Sequence, residues 1–145
     1  MRKPLLFASI VVLIAIAASY TPGPAAQESV APDAKNAVKP TPQTRARAKE
    51  IYTTDCALCH GENGDGKTDV AKGMGLSLGD WTNAKTLASR PDGELFNSIR
   101  NGKGKMPPEA AGRAKNHEVW SLIQYIHSLA SKEEPAAAPA PATAN

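Results

Sequence analysis

Ile51-Tyr52-Thr53-Thr54-Asp55-Cys56-Ala57-Leu58-Cys59-His60-Gly61 decides how the rest of this chain is read. Upstream of it, Ala48, Ile51 and Tyr52 recur at i, i+3 and i+4, so a helix is expected from a cap at Thr44 to about Asp55. Two more helical patterns follow downstream. Asp92 offers a cap for one in which Leu95, Phe96 and Ile99 share a face and Gly102 ends it. Asn116 offers a cap for another, in which Val119, Leu122, Ile123 and Ile126 run i, i+3, i+4, i+7 toward Leu129. The Gly-rich, polar stretch between 61 and 90 leaves room for one short helix near 82–89. No stretch alternates cleanly over five residues, so the expected fold class is all-α with long loops.

The folded part is smaller than the 145-residue chain. Of the 12 Pro, only Pro91, Pro107 and Pro108 lie between Thr44 and Lys132, which marks residues 44–132 as one small domain. Residues 20–43 are Pro- and Ala-rich and read as a semi-rigid linker, whose 23 residues from Thr21 would reach about 70 Å at ~3.1 Å each. Residues 133–145 read as a disordered Pro/Ala tail. At the start, Met1-Arg2-Lys3 precedes fourteen residues, Leu5 to Ala18, with Ser9 the only polar one. That length suits an export signal over 1–19 better than a bilayer span of roughly 20 residues, with an uncleaved membrane anchor as the alternative. Ala17-Ala18-Ser19 and Ala25-Ala26 offer cleavage positions, and no Cys follows the apolar run to take a lipid anchor. The expected location is periplasmic, free or tethered. Lys and Arg number 17 against 14 Asp and Glu, and losing 1–19 lowers the net charge from +3 to +1, so nucleic acid is not an expected partner.

Both cysteines of the protein lie in Cys56-Ala57-Leu58-Cys59-His60. A disulfide over three residues would staple nothing. A thioredoxin-like redox pair should open a helix after a strand, whereas a helical pattern precedes this one. A zinc site would need a distant fourth ligand such as His117, and no second Cys or His pair stands at ligand spacing. Cys-x-x-Cys-His is the signature of covalent c-type haem attachment. Residues i and i+3 of a helical turn face the same way, so Cys56 and Cys59 reach two vinyl groups of one porphyrin while His60 reaches the iron.

Met106 is the expected second axial ligand. It lies 46 residues after His60, and Pro107 and Pro108 stiffen its loop by restricting the residue before them and fixing their own φ. A His/Met pair keeps iron six-coordinate in both oxidation states and favours Fe(II). Met74, between Gly73 and Gly75, has no such stiffening, and His117 and His127 read as surface residues. Gly61 to Thr68 matches the phosphate-loop pattern G-x-x-x-x-G-K-[ST], but it follows a helical segment and carries Glu62 and Asp65, so nucleotide is not an expected ligand. Trp81 reads as a packed core residue, with a haem propionate as its alternative partner.

The chain resembles the class I c-type cytochromes, which are small, monohaem and helical. The likeness covers most of 44–132 and rests on Cys56 to Gly61, Ile99-Arg100-Asn101-Gly102, Lys105-Met106-Pro107-Pro108 and Val119 to Ile126. Within that family the stretch from Asp92 to Glu109 looks most like the haem-carrying subunits and donors of bacterial oxidases and dehydrogenases. The resemblance implies one covalent haem c, the class I fold, Met106 as distal ligand, and a first and last helix crossing near Ala48 and Tyr125, flanked by Tyr52 and Trp120. The chain departs from the family in Ala48, where Gly is usual, and in having no Pro between 61 and 90 to orient the His60 imidazole.

The expected function is that of a single-electron carrier between redox protein partners, not itself an enzyme. A membrane-tethered haem subunit of an oxidase or dehydrogenase complex is the alternative. A haem-based sensor would need an open sixth position on the iron. Residues 100–115 carry Arg100, Lys103, Lys105, Arg113 and Lys115 against Glu109, so a basic face that meets an acidic partner is a further expectation.

Overall fold

The computed structural model describes residues 28–130, so the expected export signal (1–19) and tail (133–145) lie outside the described residues. Among the described residues the regular structure is helical, with no strand and only an isolated bridge between Lys103 and Met106. No described helix is long and apolar enough to cross a membrane.

Helix α1 (Pro42–Ile51) starts three residues earlier than expected. Thr41, not Thr44, is its cap: the Thr44 amide donates to Thr41 Oγ1 at 3.1 Å, and the Thr41 amide donates to Thr44 Oγ1 at 2.8 Å. Pro42 occupies the first turn, where its missing N–H costs nothing. The helix also does not stop at Asp55. It continues as a π-helical turn (Tyr52–Cys56) into α2 (Ala57–His60), which makes His60 the last residue of a long interrupted helix. Thr68 caps a helix with no apolar period to announce it, α3 (Asp69–Gly73), and α4 (Ala84–Ala88) fills the expected short segment.

Helix α5 (Asp92–Asn101) is capped at Pro91, and α6 (Asn116–Ser128) at Lys115, one residue before each expected cap. Asp92 faces the His127 ring at 2.9 Å and so ties the start of α5 to the end of α6. The inward faces are those the periodicity predicts. Ala48, Ile51 and Tyr52 of the first helix, Leu95, Phe96 and Ile99 of α5, and Val119, Leu122, Ile123 and Ile126 of α6 share one buried cluster. Tyr52 meets Tyr125 at 5.2 Å between ring centroids, while Trp120 stacks on Phe96 at 4.7 Å instead of flanking that crossing.

Part of the expected linker belongs to the domain. Residues 28–41 lie across α5 and α6 as an extended strap. The Val30 amide donates to Asn97 Oδ1 at 2.8 Å, and Asn97 Nδ2 returns a bond to the Val30 carbonyl at 2.8 Å. Asn36 Nδ2 donates to the Trp120 carbonyl at 2.8 Å, and the Val30 side chain packs on the core. The approach is close enough to require glycine at 93, because a Cβ there would fall on the carbonyl oxygen of Ala31 and 2.6 Å from that of Pro32. A Pro/Ala composition that reads as a semi-rigid linker is therefore, over residues 28–41, a packed cover.

Candidate haem site

The π-helical turn sets the geometry of the motif. Its wider loop inserts one residue into the helix, and such turns recur at functional sites. Cys56 closes the turn and Cys59 follows on α2. Both thiols are free and half-buried, while Leu58 between them is 68% exposed. Cys56 packs against the core, and burial pushes its thiol up to about 12, with the neighbouring Asp55 carboxylate adding to the shift. A redox-active Cys-x-x-Cys needs the opposite, a depressed thiol.

His60 lies parallel to Trp81, with ring centroids 4.1 Å apart and planes 14° from coplanar. Its Nδ1 is buried and makes no hydrogen bond among the described residues, in keeping with the missing proline. Burial holds the imidazole below its usual pKa, so it is neutral and keeps a lone pair for a metal. Trp81 also reaches Tyr52, whose centroid is 6.3 Å away. The Tyr52 hydroxyl donates to the Gly61 carbonyl at 2.6 Å, which fixes the chain just past the histidine, and Thr68 Oγ1 donates to the Cys59 carbonyl at 3.1 Å. The phosphate-loop look-alike is accounted for by these contacts. It is a turn off the end of α2, closed by the Gly66 amide on the His60 carbonyl at 2.8 Å, with Thr68 used as a helix cap.

Met106 is half-buried against the same cluster that receives Cys56 and Trp81. Its backbone pairs with that of Lys103 in both directions, at 3.0 and 3.1 Å. Met74 is 46% exposed, although Lys105 Nζ reaches its carbonyl at 2.9 Å, so the two methionine loops touch. His117 is exposed and His127 is engaged with Asp92. No three His, Cys, Asp or Glu side chains among the described residues converge on a point able to hold a metal ion, which leaves the zinc alternative without a ligand set.

The expected basic face does not form as one patch. Arg100 is buried, Arg113 pairs with Asp55 at 3.0 Å and Glu109 at 3.2 Å, and Lys103 pairs with Glu94 at 3.3 Å. Lys105 and Lys115 are the cations of that segment without a carboxylate partner among the described residues. Sequence reasoning missed the role of Arg100 and the stacking of Trp81 on the histidine. A fork of donors aimed at backbone carbonyls looks, in sequence, like any surface arginine.

The donor set fits a porphyrin: two reduced thiols on consecutive turns, an exposed leucine between them, an orphaned neutral imidazole and a thioether seated on the same core. A small all-α domain that ends its first helix in this way is a c-type cytochrome domain, an electron-carrying unit whose cofactor is covalent haem c. Residues 43–126 match the family model described as cytochrome c oxidase, cbb3-type, subunit III, and the chain belongs to that family. It is 31% identical over 86 residues to the cbb3-type cytochrome c oxidase subunit CcoP of Azospirillum brasilense, covering 57% of this chain and 28% of that one. With subunit FixP of Azorhizobium caulinodans the identity is 32% over 89 residues, or 61% and 28% of the two chains. The chain thus spans under a third of the length of these relatives. Among solved structures, the Kuenenia stuttgartiensis reducing HAO-like protein complex matches with a TM-score of 0.53 at 25% identity, over 70% of this chain and 51% of that one.

Proposed function

We propose that this domain holds one haem c, attached at Cys56 and Cys59 and ligated by His60 and Met106, and passes single electrons as a haem-carrying part of an oxidase-type complex. The observation that carries the reading is the seating of Cys56, Trp81 and Met106 on one core cluster with the His60 ring against Trp81. The haem supplies a one-electron Fe(III)/Fe(II) couple. The chain supplies the rest. Trp81 and the Tyr52–Gly61 bond orient His60, the Cys56 and Cys59 side chains would fix the ring covalently, and the core cluster supports Met106 from one side.

The expected free shuttle ranks below the subunit reading, because the relatives at about 30% identity carry the names of oxidase subunits. Export of the chain, with the haem domain held on the periplasmic side by residues 1–19 or released from them, belongs to the same proposal. One preparation tests all of it: the native protein, isolated by gentle solubilisation of membranes, examined by mass spectrometry after denaturation and by native electrophoresis. A single haem-sized mass addition and co-migration with a terminal oxidase are expected. Absence of the mass addition would refute haem attachment, and a haem-bearing chain found alone in the soluble fraction would restore the shuttle.

A further inference from the structure

The loop from Gly102 to Lys115 has little regular structure with which to hold Met106. It contains the Lys103–Met106 bridge and one turn, in which the Arg113 and Ala114 amides reach the Ala110 carbonyl at 2.9 and 3.1 Å. Gly102 leaves α5 at φ +76°, and a Cβ there would sit 2.6 Å from the Met106 carbonyl oxygen, so the chain doubles back tightly on the ligand residue. Besides the exposed Lys103–Glu94 pair, two buried connections return the loop to α5. The Glu109 amide donates to the Ile99 carbonyl at 2.8 Å. The other return is Arg100.

Arg100 is 6% exposed, on the inward face of α5, with its guanidinium carbon 5.9 Å from the Phe96 ring centroid. One terminal nitrogen donates to the Glu109 carbonyl at 2.6 Å. The other donates to the Ala114 carbonyl at 2.8 Å and to Asn116 Oδ1 at 2.9 Å. These acceptors stand three, eight and ten residues beyond Met106, so one planar group gathers the far half of the loop and the start of α6. A lysine, with a single nitrogen, cannot span that set. No carboxylate pairs with Arg100 among the described residues. Burying a cation is costly, and a space-filling role would be served as well by an apolar side chain.

We infer that Arg100 is the positioning residue for Met106: its fork clamps the distal loop to α5 and sets how firmly the thioether stays on the iron. The inference rests on the reading of Met106 as distal ligand, so the test carries Met106→Ala as its reference. Arg100→Lys and Asn116→Ala are made in the full haem-loaded chain. Three quantities are measured: far-UV helix content, the absorption band of methionine-ligated ferric haem on warming, and the affinity of the ferric protein for cyanide. Arg100→Lys keeps charge and apolar stem, and cyanide affinity is expected to rise about tenfold, the equivalent of one lost charged hydrogen bond. Its methionine band should fade at a temperature where the wild type retains it. Asn116→Ala removes one acceptor of three, and a rise of about threefold is expected, which stands as the test should Arg100→Lys fail to fold. Wild-type cyanide affinity in a folded Arg100→Lys protein, with Met106→Ala open to cyanide, overturns the inference and leaves the ligand in place. Unchanged cyanide affinity in Met106→Ala removes the ligand reading, and the inference with it.

Discussion

Replacing Gly93 by alanine should change sign with the strap. In an exposed helix the substitution stabilises by up to about 1 kcal/mol, because glycine loses more backbone entropy on folding. Here the new Cβ would collide with the Ala31 carbonyl and lie 2.6 Å from that of Pro32, so the strap must lift. Lifting it breaks the reciprocal Asn97–Val30 pair, two bonds of 2.8 Å worth about 0.5–1.5 kcal/mol each. It also uncovers part of the Val30 side chain, at about 1 kcal/mol. The Glu94 amide loses Pro32 at 3.1 Å but keeps the Pro91 carbonyl at 3.0 Å, so no donor is orphaned. Set against the helix gain, the net is a loss of about 1–3 kcal/mol. For a domain of this size that lowers the melting temperature by about 5–20 °C. Thermal unfolding followed by far-UV circular dichroism measures it, in the full chain and in one that begins at Thr41. In the shorter chain Gly93→Ala should raise the midpoint by a few degrees. A raised midpoint in the full chain, or an equal drop in both, would refute the packing of residues 28–40 on α5.

Replacing both Cys56 and Cys59 by Ala should abolish the haem-sized mass addition of the denatured protein, while either single replacement leaves a one-bond adduct. Met106→Ala should keep the haem attached, lower the reduction potential and admit cyanide or carbon monoxide, whereas Met74→Ala leaves both properties as they are; potentiometry and ligand titration decide between the two sulfurs. Glu109→Gln should raise the melting temperature near neutral pH, since burial first and Asp55 second hold this carboxyl above its ordinary value and disfavour its ionised form in the folded state. The sign follows from linkage: the advantage shrinks as pH falls and wild-type Glu109 becomes neutral as well, so melting curves across pH that diverge on acidification would contradict it. Electron transfer to the native partner should depend only modestly on salt, by no more than about tenfold between low and physiological ionic strength, because Arg100, Lys103 and Arg113 are already engaged within the domain; stopped-flow rates over a salt series read this out.

The inward faces of α1, α5 and α6 are legible in the sequence because apolar spacing is a local property that the core has to satisfy. Their starts are legible only to within one to three residues, since Thr41 and Thr44 cap each other across Pro42 and either could be the cap from composition alone. The strap escapes a reading of composition for a different reason. Its bonds come from Asn97, Asn101, Asn36 and Gln124, polar side chains whose partners lie 67 to 86 residues away. Of the residues proposed to hold the haem, Cys56, Cys59 and His60 are suggested by spacing, and Met106 by the prolines after it. Trp81 and Arg100 are not, because a stacked ring and a fork on carbonyl oxygens exist only once the chain has folded. The five cations of 100–115 show the same limit: counting charge gives +4 with Glu109 included, but pairing with Asp55 and Glu94 from outside the segment offsets half of it.

Burial of Cys56 bears on when its thiol could react. With its thiol pushed up to about 12, chiefly by burial, the folded, haem-free polypeptide disfavours the Cys56 thiolate at neutral pH. The thiolate is the nucleophile in bond-forming chemistry, so folding first would silence one of the two proposed attachment points. Thiolate chemistry at Cys56 would be favoured while the turn from Tyr52 to Cys56 is still open to water, before the first helix packs onto the last.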